Sequence, residues 1–274
     1  MHPIQELTAA TEAMATGDLK QHVPIRSEDE LGRLARSFNQ MSADLAEATR
    51  QRRQMTADIA HDLGTPLQII SGYVESMTDG TLAPTMDRLG LISAEIEHLR
   101  RLIEDLDLLS QTDTQSLRLQ MQPIDTATFL EQIALSFTPI AKPEGVQLKT
   151  NIGDTLPVIE ADQERLMQVM GNLLSNALRY TPGGERIIIS GQRQDDQVVL
   201  QVKDHGAGIA PEDLPYIFER FYRADTSRTE GGKMGLGLAI SKALVEAMNG
   251  AISAHSQGVG QGTTLTVSFP TKLN

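Results

Sequence analysis

His61 stands in the stretch Asp58-Ile-Ala-His-Asp-Leu-Gly-Thr-Pro-Leu67, with a carboxylate beside it (Asp62) and a hydroxyl one turn on (Thr65). The apolar residues here are Met55, Ile59, Leu63, Leu67, Ile70, Val74 and Met77, spaced three or four apart. At about 100° per residue, position 61 lies nearly opposite both Ile59 and Leu63, so the imidazole is presented to solvent and not to a core. A solvent-facing imidazole between an acid and a hydroxyl is a candidate reactive centre.

Three stretches far downstream offer that centre a reaction partner. Gln163–Tyr180 puts Asn172, Asn176 and Tyr180 at i, i+4 and i+8, with Leu166, Val169, Leu173 and Ala177 on the apolar face. A neutral amide oxygen suits Mg²⁺, which shares its shell with phosphate oxygens and water. Tyr180 is placed to lie against a purine, and Arg179 to reach phosphates. Asp204-His-Gly206-Ala-Gly208-Ile209 follows a strand-like run. Its alternate glycines let the backbone close on a flat ligand, and Asp204 can accept a hydrogen bond from an exocyclic amine such as adenine N6. Finally, Gly231-Gly-Lys-Met-Gly235-Leu-Gly237-Leu238 opens a helix, whose unpaired N–H groups and positive end suit phosphate. The polar stretch Arg223–Lys233 before it reads as a mobile lid, and Phe218-Glu-Arg-Phe-Tyr-Arg223 presents an arginine toward the same region. Singly, each piece has a plainer explanation: a solvated amide face, a tight turn, a loop. In this order on one chain they point to a nucleotide site.

These residues need two kinds of scaffold. Residues 1–50 predict helix, connector, helix: Ile4, Leu7, Thr11 and Met14 share a face, Gly17-Asp18 ends the first helix, and Val23-Pro24-Ile25 is extended. Ser27 is expected to cap the second helix, with Glu28, Asp29 and Glu30 at its positive end. Leu31, Leu34, Phe38, Met41, Leu45, Ala48, Arg52, Met55 and Ile59 then form a heptad seam of a parallel coiled coil. Ile59 to Leu67 is eight residues, so the seam slips beside His61, where Gly64 and Pro66 also weaken the helix. This marks either a packing irregularity or, as preferred, a bendable joint. After a turn near Asp79-Gly80, Leu89, Ile92, Ile96, Leu99, Ile103 and Leu106 predict a second seam. Two such helices cannot bury their own stripes, and dimerisation into a four-helix bundle is the simplest remedy.

Ser110–Gln122 reads as a polar linker. Beyond it the texture turns to mixed α/β. Helices are expected at Phe129–Pro139, Gln163–Tyr180 and Leu238–Met248. Strands are expected at Val146–Ile152, Arg186–Gln192, Val198–Lys203, Ala251–His255 and Thr263–Phe269. The 274 residues allow about two domains, and 4% aromatic content with no Trp favours helical bundles. Net charge of −12 argues against nucleic acid as a partner. The absence of Cys excludes disulfides and thiolate metal sites, and no run of about 18 apolar residues occurs. His2, His22, His98 and His255 lack a partner constellation and read as surface residues, and His205 as a bystander in the glycine turn.

The pattern resembles the sensor histidine kinases of two-component signalling. His61–Leu67 resembles their H box, Asn172–Tyr180 the N box, Asp204–Ile209 the first glycine box, Phe218–Arg223 the F box and Gly232–Leu238 the second glycine box. Residues 1–50, with Pro3, Gly17-Asp18-Leu19, Asp29-Glu-Leu-Gly32 and Phe38-Asn39-x-Met41, are similar to a HAMP signal-relay domain. The resemblance implies an α plus α/β architecture: HAMP at 1–50, a dimeric helical hairpin for dimerisation and phosphotransfer at 51–115, and an α/β-sandwich ATP-binding domain of the Bergerat (GHKL) type at 116–274. It implies that His61 accepts the γ-phosphoryl of ATP and that Asp62 acts as base or orients the ring. Asn176 and Asn172 would hold Mg²⁺. Asp204, Tyr180, Gly206, Gly208 and Ile209 would receive the adenine, with Arg179, Gly235, Leu236, Gly237 and Leu238 around the nucleotide. Arg223 would stabilise charge on the transferred group, and Thr65 would position water for dephosphorylation of a response regulator. The resemblance further implies a homodimer, a receiver-domain partner, and a membrane anchor before residue 1 that leaves this part on the cytoplasmic side. Two positions depart from the pattern: Gly64 stands where an arginine is usual, and Lys233 where the second glycine box has its first glycine. The competing readings are another GHKL-type ATPase, which leaves His61 and the HAMP-like segment unexplained, and a dimeric relay that binds ATP without phosphoryl transfer.

Overall fold

A computed structural model describes residues 3–114, 116–153, 155–222 and 235–271, with Pro3, Gln51, Arg52, Gln54 and Asp113 described by backbone alone. The chain divides into two compact units, Met1–Gly64 and Thr65–Asn274, and the division falls three residues after His61. No helix among the described residues is long and apolar enough to cross a membrane.

In the first unit, α1 (Pro3–Ala15) is followed by an extended connector and by α2 (Glu30–Thr78), which continues into the second unit. Gly17, at φ +98°, turns the chain out of α1. The cap of α2 is Asp29, not Ser27 as expected. Asp29 Oδ1 accepts from the N–H groups of Leu31 (3.1 Å) and Gly32 (3.2 Å), while the Ser27 hydroxyl donates to the same carboxylate. Ser27 and Gly32 hold that carboxyl below its ordinary range. The face of α2 that is buried within the chain lies beside the predicted seam, sharing Phe38 with it. Ala35, Phe38 and Ser42 turn inward with Leu7, Ala10 and Val23, while Leu34, Met41 and Leu45 stay exposed. The connector is tied down by side chains of α2. Asn39 accepts from Val23 N–H (2.8 Å) and donates to Val23 C=O (2.9 Å), and the Ser42 hydroxyl reaches the carbonyls of Leu19 and Gln21, both at 3.0 Å.

In the second unit, Gly80 (φ +80°) turns the chain between α2 and α3 (Met86–Asp113), whose N-cap Thr85 accepts from Arg88 N–H. On α3, Leu89, Ile96 and Ile103 are exposed. α3 neighbours a later helix, α6, and Leu102, Leu108 and Leu109 in its C-terminal half are buried. The predicted linker Ser110–Gln122 is therefore too long, because helix runs to Asp113 and strand begins at Met121. Residues 116–120 between them are in neither helix nor strand.

The rest of the second unit is an α/β sandwich: β1 (Met121–Ile124), α4 (Thr126–Ala141), β2 (Gln147–Ile152), β3 (Ile159–Asp162), α5 (Gln163–Tyr180), β4 (Arg186–Gln194), β5 (Gln197–Asp204), α6 (Gly237–Ala247), β6 (Ala251–His255) and β7 (Thr264–Pro270). The five-stranded sheet has the order β2-β4-β5-β7-β6, antiparallel except for the parallel β2–β4 pair. A separate two-stranded ribbon, β1–β3, was not anticipated. Alternation buries Ile187 and Ile189 of β4 and Leu265, Val267 and Phe269 of β7, and the helices bury Phe129, Leu130 and Ile133 of α4, Leu166, Val169 and Leu173 of α5, and Ile240 and Leu244 of α6, with α4 beside β4 and α5 beside β5. This layer of helix on sheet sets the spacing of the loops between β5, α5, α6 and β7.

Candidate functional site

His61 lies on the exposed side of α2, with Ile59 and Leu63 partly buried, Asp62 partly buried and Thr65 exposed. The helix continues through Gly64 and Pro66, and Pro66 is buried. A Cβ on Gly64 would meet nothing within 4 Å, so no packing within the chain demands glycine there.

The other cluster is wholly within the second unit. Asp204 ends β5 buried, and its Oδ1 accepts from Gly206 N–H (2.9 Å) and Thr263 N–H (3.1 Å). Its other oxygen, Oδ2, takes no hydrogen bond from a described residue. Burial raises the pKa of this carboxyl, and the N–H bonds from Gly206 and Thr263 oppose the rise. A carboxylate fixed by one oxygen, with the second left over, can receive an exocyclic amine.

The glycine turn is built by close approach. Ala207 N–H donates to the Tyr180 carbonyl at the end of α5 (2.9 Å), and a Cβ on Gly206 would fall 2.7 Å from the Tyr180 carbonyl carbon. Gly208 has φ +66°, with the Gly258 carbonyl carbon 3.1 Å from where its Cβ would lie. Ile209 N–H is taken by the Ser256 hydroxyl at 3.0 Å. On α5, the Arg179 guanidinium lies 5.5 Å from the centre of the partly exposed Tyr180 ring. Asn172 Nδ2 donates to Gly237 C=O (3.1 Å), which turns its amide toward the first turn of α6, and Asn176 lies one turn further along. Gly235 has φ +69°, and Leu236 precedes α6 without a side-chain cap, so among the described residues no capping side chain takes the first N–H groups of that helix.

The structure thus brings Asn172, Tyr180, Asp204, Gly206, Gly208, Ile209 and Gly237 around the junction of α5, β5 and α6. Carboxylate, glycine cradle, amide face and open helix N-terminus together fit an adenine nucleotide and its phosphates. Arg223, Lys233 and the remainder of the expected lid, Arg223–Lys233, lie outside the described residues, as does His2. Before it, Tyr222 donates to Asp213 Oδ1 (2.6 Å), and its ring lies 5.7 Å from that of Tyr216. Four participants were not singled out from the sequence: Ser256, Gly258, Gly262 and Thr263. The spacing Gly258-x-Gly260-x-Gly262-Thr263 is a third glycine cluster and was the available signal.

A Bergerat-type nucleotide fold joined to a helix bearing an exposed histidine defines a class, the ATP-binding phosphoacceptor proteins. Residues 1–47 match the HAMP domain, 51–115 the His Kinase A (phospho-acceptor) domain and 161–273 the histidine kinase-, DNA gyrase B-, and HSP90-like ATPases. The chain is 38% identical over 269 residues to the signal transduction histidine-protein kinase BaeS of Escherichia coli, covering 98% of this chain and 57% of the relative. Among solved structures, Acinetobacter baumannii histidine kinase AdeS aligns with a TM-score of 0.65 at 28% identity, over 78% of this chain and 98% of that one. Full-length ShkA in complex with AMPPNP aligns at 0.60 and 28%, over 81% and 47%. The chain belongs to the HAMP-containing sensor histidine kinases, and it spans little more than half the length of BaeS.

Proposed function

We propose that this chain phosphorylates its own His61 from ATP and passes the phosphoryl group to an aspartate of a response regulator receiver domain. It acts as a homodimer, with working divisions at 1–50, 51–115 and 116–274. The exposed stripes Leu34, Met41 and Leu45 on α2, and Leu89, Ile96 and Ile103 on α3, support the dimer. The HAMP match and the greater length of BaeS support a place on the cytoplasmic face of a membrane, anchored through a preceding segment.

In this reading ATP supplies the phosphoryl group, and Mg²⁺ offsets charge on its phosphates. Asp204 Oδ2 accepts from adenine N6 and Tyr180 lies beside the base. Asn176 and Asn172 offer amide oxygens to the metal. The glycine turn Gly206–Ile209 excludes water from one face of the base, while Arg179, Gly235, Leu236, Gly237 and Leu238 line the phosphate side. A ring nitrogen of His61 forms the new N–P bond as the bond from γ-phosphorus to the bridging oxygen breaks and ADP leaves. Asp62 accepts the ring proton or orients the imidazole, and Arg223 faces the charge on the transferred group. Thr65 positions water for the opposing activity, in which water attacks the regulator's phosphoaspartate, the bond to the aspartate oxygen breaks and inorganic phosphate leaves.

The observation that carries this reading is an exposed imidazole on α2 in a chain that also holds the glycine turn at Asp204. Incubation with labelled Mg·ATP tests it. The expected product is an acid-labile, base-stable phosphoprotein that disappears in His61→Ala and is reduced in Asn176→Asp with unfolding unchanged. Label persisting in His61→Ala would refute the assignment. Phosphate release without an adduct would indicate a plain ATPase.

A further inference from the structure

Ser256 follows β6, outside every motif assigned to the nucleotide, and is buried. Its hydroxyl accepts from Ile209 N–H (3.0 Å) and Gly258 N–H (3.3 Å), and its one proton faces Gly262 C=O at 2.8 Å, nearer than Gly258 C=O at 3.3 Å. One donor and two acceptor sites are all that a serine hydroxyl has, so its capacity is filled. Each bond goes to backbone of the two loops that meet behind the adenine position.

The bond to Gly262 reaches further than its partner. The Gly262 carbonyl and the Thr263 N–H belong to one peptide group, which is planar, with C=O and N–H directed oppositely. The Thr263 N–H is one of the two donors on Asp204 Oδ1. A continuous path therefore runs from the Ser256 hydroxyl through one rigid peptide to the Asp204 carboxylate. Polarisation along such a chain strengthens each bond in it. On the other side, Ser256 holds Ile209 N–H and so fixes the far end of the turn that begins at Asp204. Bonds from Gly262 N–H to Gly206 C=O (3.1 Å) and from Gly260 N–H to Ala207 C=O (2.6 Å) close the same two loops.

We propose that Ser256 is a positioning residue for adenine recognition: through the Gly262–Thr263 peptide and the Ile209 amide it sets the direction in which Asp204 offers Oδ2. The proposal rests on the nucleotide-site reading of the glycine turn at Asp204. It makes no claim on the phosphates, which the α5–α6 side receives, so its signature is selective for the exocyclic amine.

The test compares AMPPNP with purine riboside triphosphate, which lacks the amine, on the full chain with Mg²⁺, by displacement of a fluorescent ATP analogue. Ser256→Ala leaves two N–H groups and a carbonyl without their partner. The expected result is an AMPPNP affinity about tenfold weaker, with purine riboside triphosphate changed less than about twofold. Ser256→Cys, close in size and a weak acceptor, gives the same selective fall if the alanine variant does not fold. Equal losses for both nucleotides, or no loss for either, would overturn the proposal while unaltered chain still binds AMPPNP. Failure of the unaltered chain to bind AMPPNP would overturn the nucleotide-site reading and this proposal with it.

Discussion

Replacement of Gly206 by alanine adds a single methyl group where the structure has no room for one. The new carbon would lie 2.7 Å from the Tyr180 carbonyl carbon and 3.1 Å from Asp204 Oδ1, against a comfortable carbon–carbon separation of about 3.5–4.0 Å. Neither neighbour can yield cheaply. Tyr180 closes α5, and Asp204 is held by two N–H groups. The turn must therefore move by roughly 1 Å, which strains three hydrogen bonds: Gly206 N–H to Asp204 (2.9 Å), Ala207 N–H to Tyr180 (2.9 Å) and Gly262 N–H to Gly206 (3.1 Å). At about 0.5–1.5 kcal/mol each, the loss is about 2–4 kcal/mol. Expressed in binding, that is between about thirtyfold and several hundredfold in AMPPNP affinity. Calorimetric titration of the variant, with denaturant unfolding alongside, separates loss of binding from loss of folding. Gly72→Ala on α2 is the control, since its Cβ meets nothing within 4 Å, and it should bind as the unaltered chain does. A Gly206→Ala protein that binds AMPPNP within about threefold of the original and unfolds at the same denaturant concentration would refute the close-approach argument.

The geometry carries three further expected outcomes. Gly64→Ala, in open space on α2, should stabilise the chain by about 1 kcal/mol in denaturant unfolding; a loss of stability would show that glycine is needed there for a contact outside the chain. Asn39→Ala removes both bonds to Val23, a buried residue, and should cost about 1–3 kcal/mol, with cleavage by limited proteolysis rising at the Gln21–Arg26 connector; an unchanged proteolytic pattern would contradict the pinning role. AMPPNP affinity should fall as pH drops through the raised pKa of Asp204, because protonation removes the charge that strengthens the bond from the amine and turns one carboxyl oxygen into a donor. The sign for folding is opposite: a pKa raised in the folded state means that the folded chain binds this proton more tightly, so stability attributable to Asp204 increases as pH falls through the same range. In Asp204→Asn both dependences should flatten.

The parts of this molecule that were legible in the sequence are those governed by local periodicity. Leu166, Val169, Leu173 and Ala177 define the face of α5, and its observed bounds, Gln163–Tyr180, are those predicted. The alternation in Val198–Lys203 and Thr263–Phe269 likewise gave strands within a residue or two of β5 and β7. The errors arose where long-range contact decides. Asp29 displaces Ser27 as cap because Ser27 bonds to Asp29 itself. Ala35 and Ser42, unremarkable in a heptad count, turn inward because α1 and the connector cover that side. The β1–β3 ribbon joins four-residue strands far apart in the chain, too short for alternation to register. At the site, Asp204 and Gly206 were visible as a pattern, whereas Ser256 and Thr263 matter only because the fold returns β6 and β7 to the end of β5.

The buried end of α3 has a mechanical consequence. Leu108 and Leu109 are buried near its C-terminal end, α3 neighbours α6, the helix that opens at Gly237, and from Leu108 the helix runs back to Met86 near the turn at Gly80. At 1.5 Å per residue that arm is about 33 Å long. A tilt of about 10° about the buried end would sweep the opposite end through about 6 Å, and a comparable push at that end would return as a small, forceful rotation. Displacement is traded for force along the rod, as in any long-armed lever. A large displacement of the hairpin would therefore reach the neighbourhood of α6 as a small one.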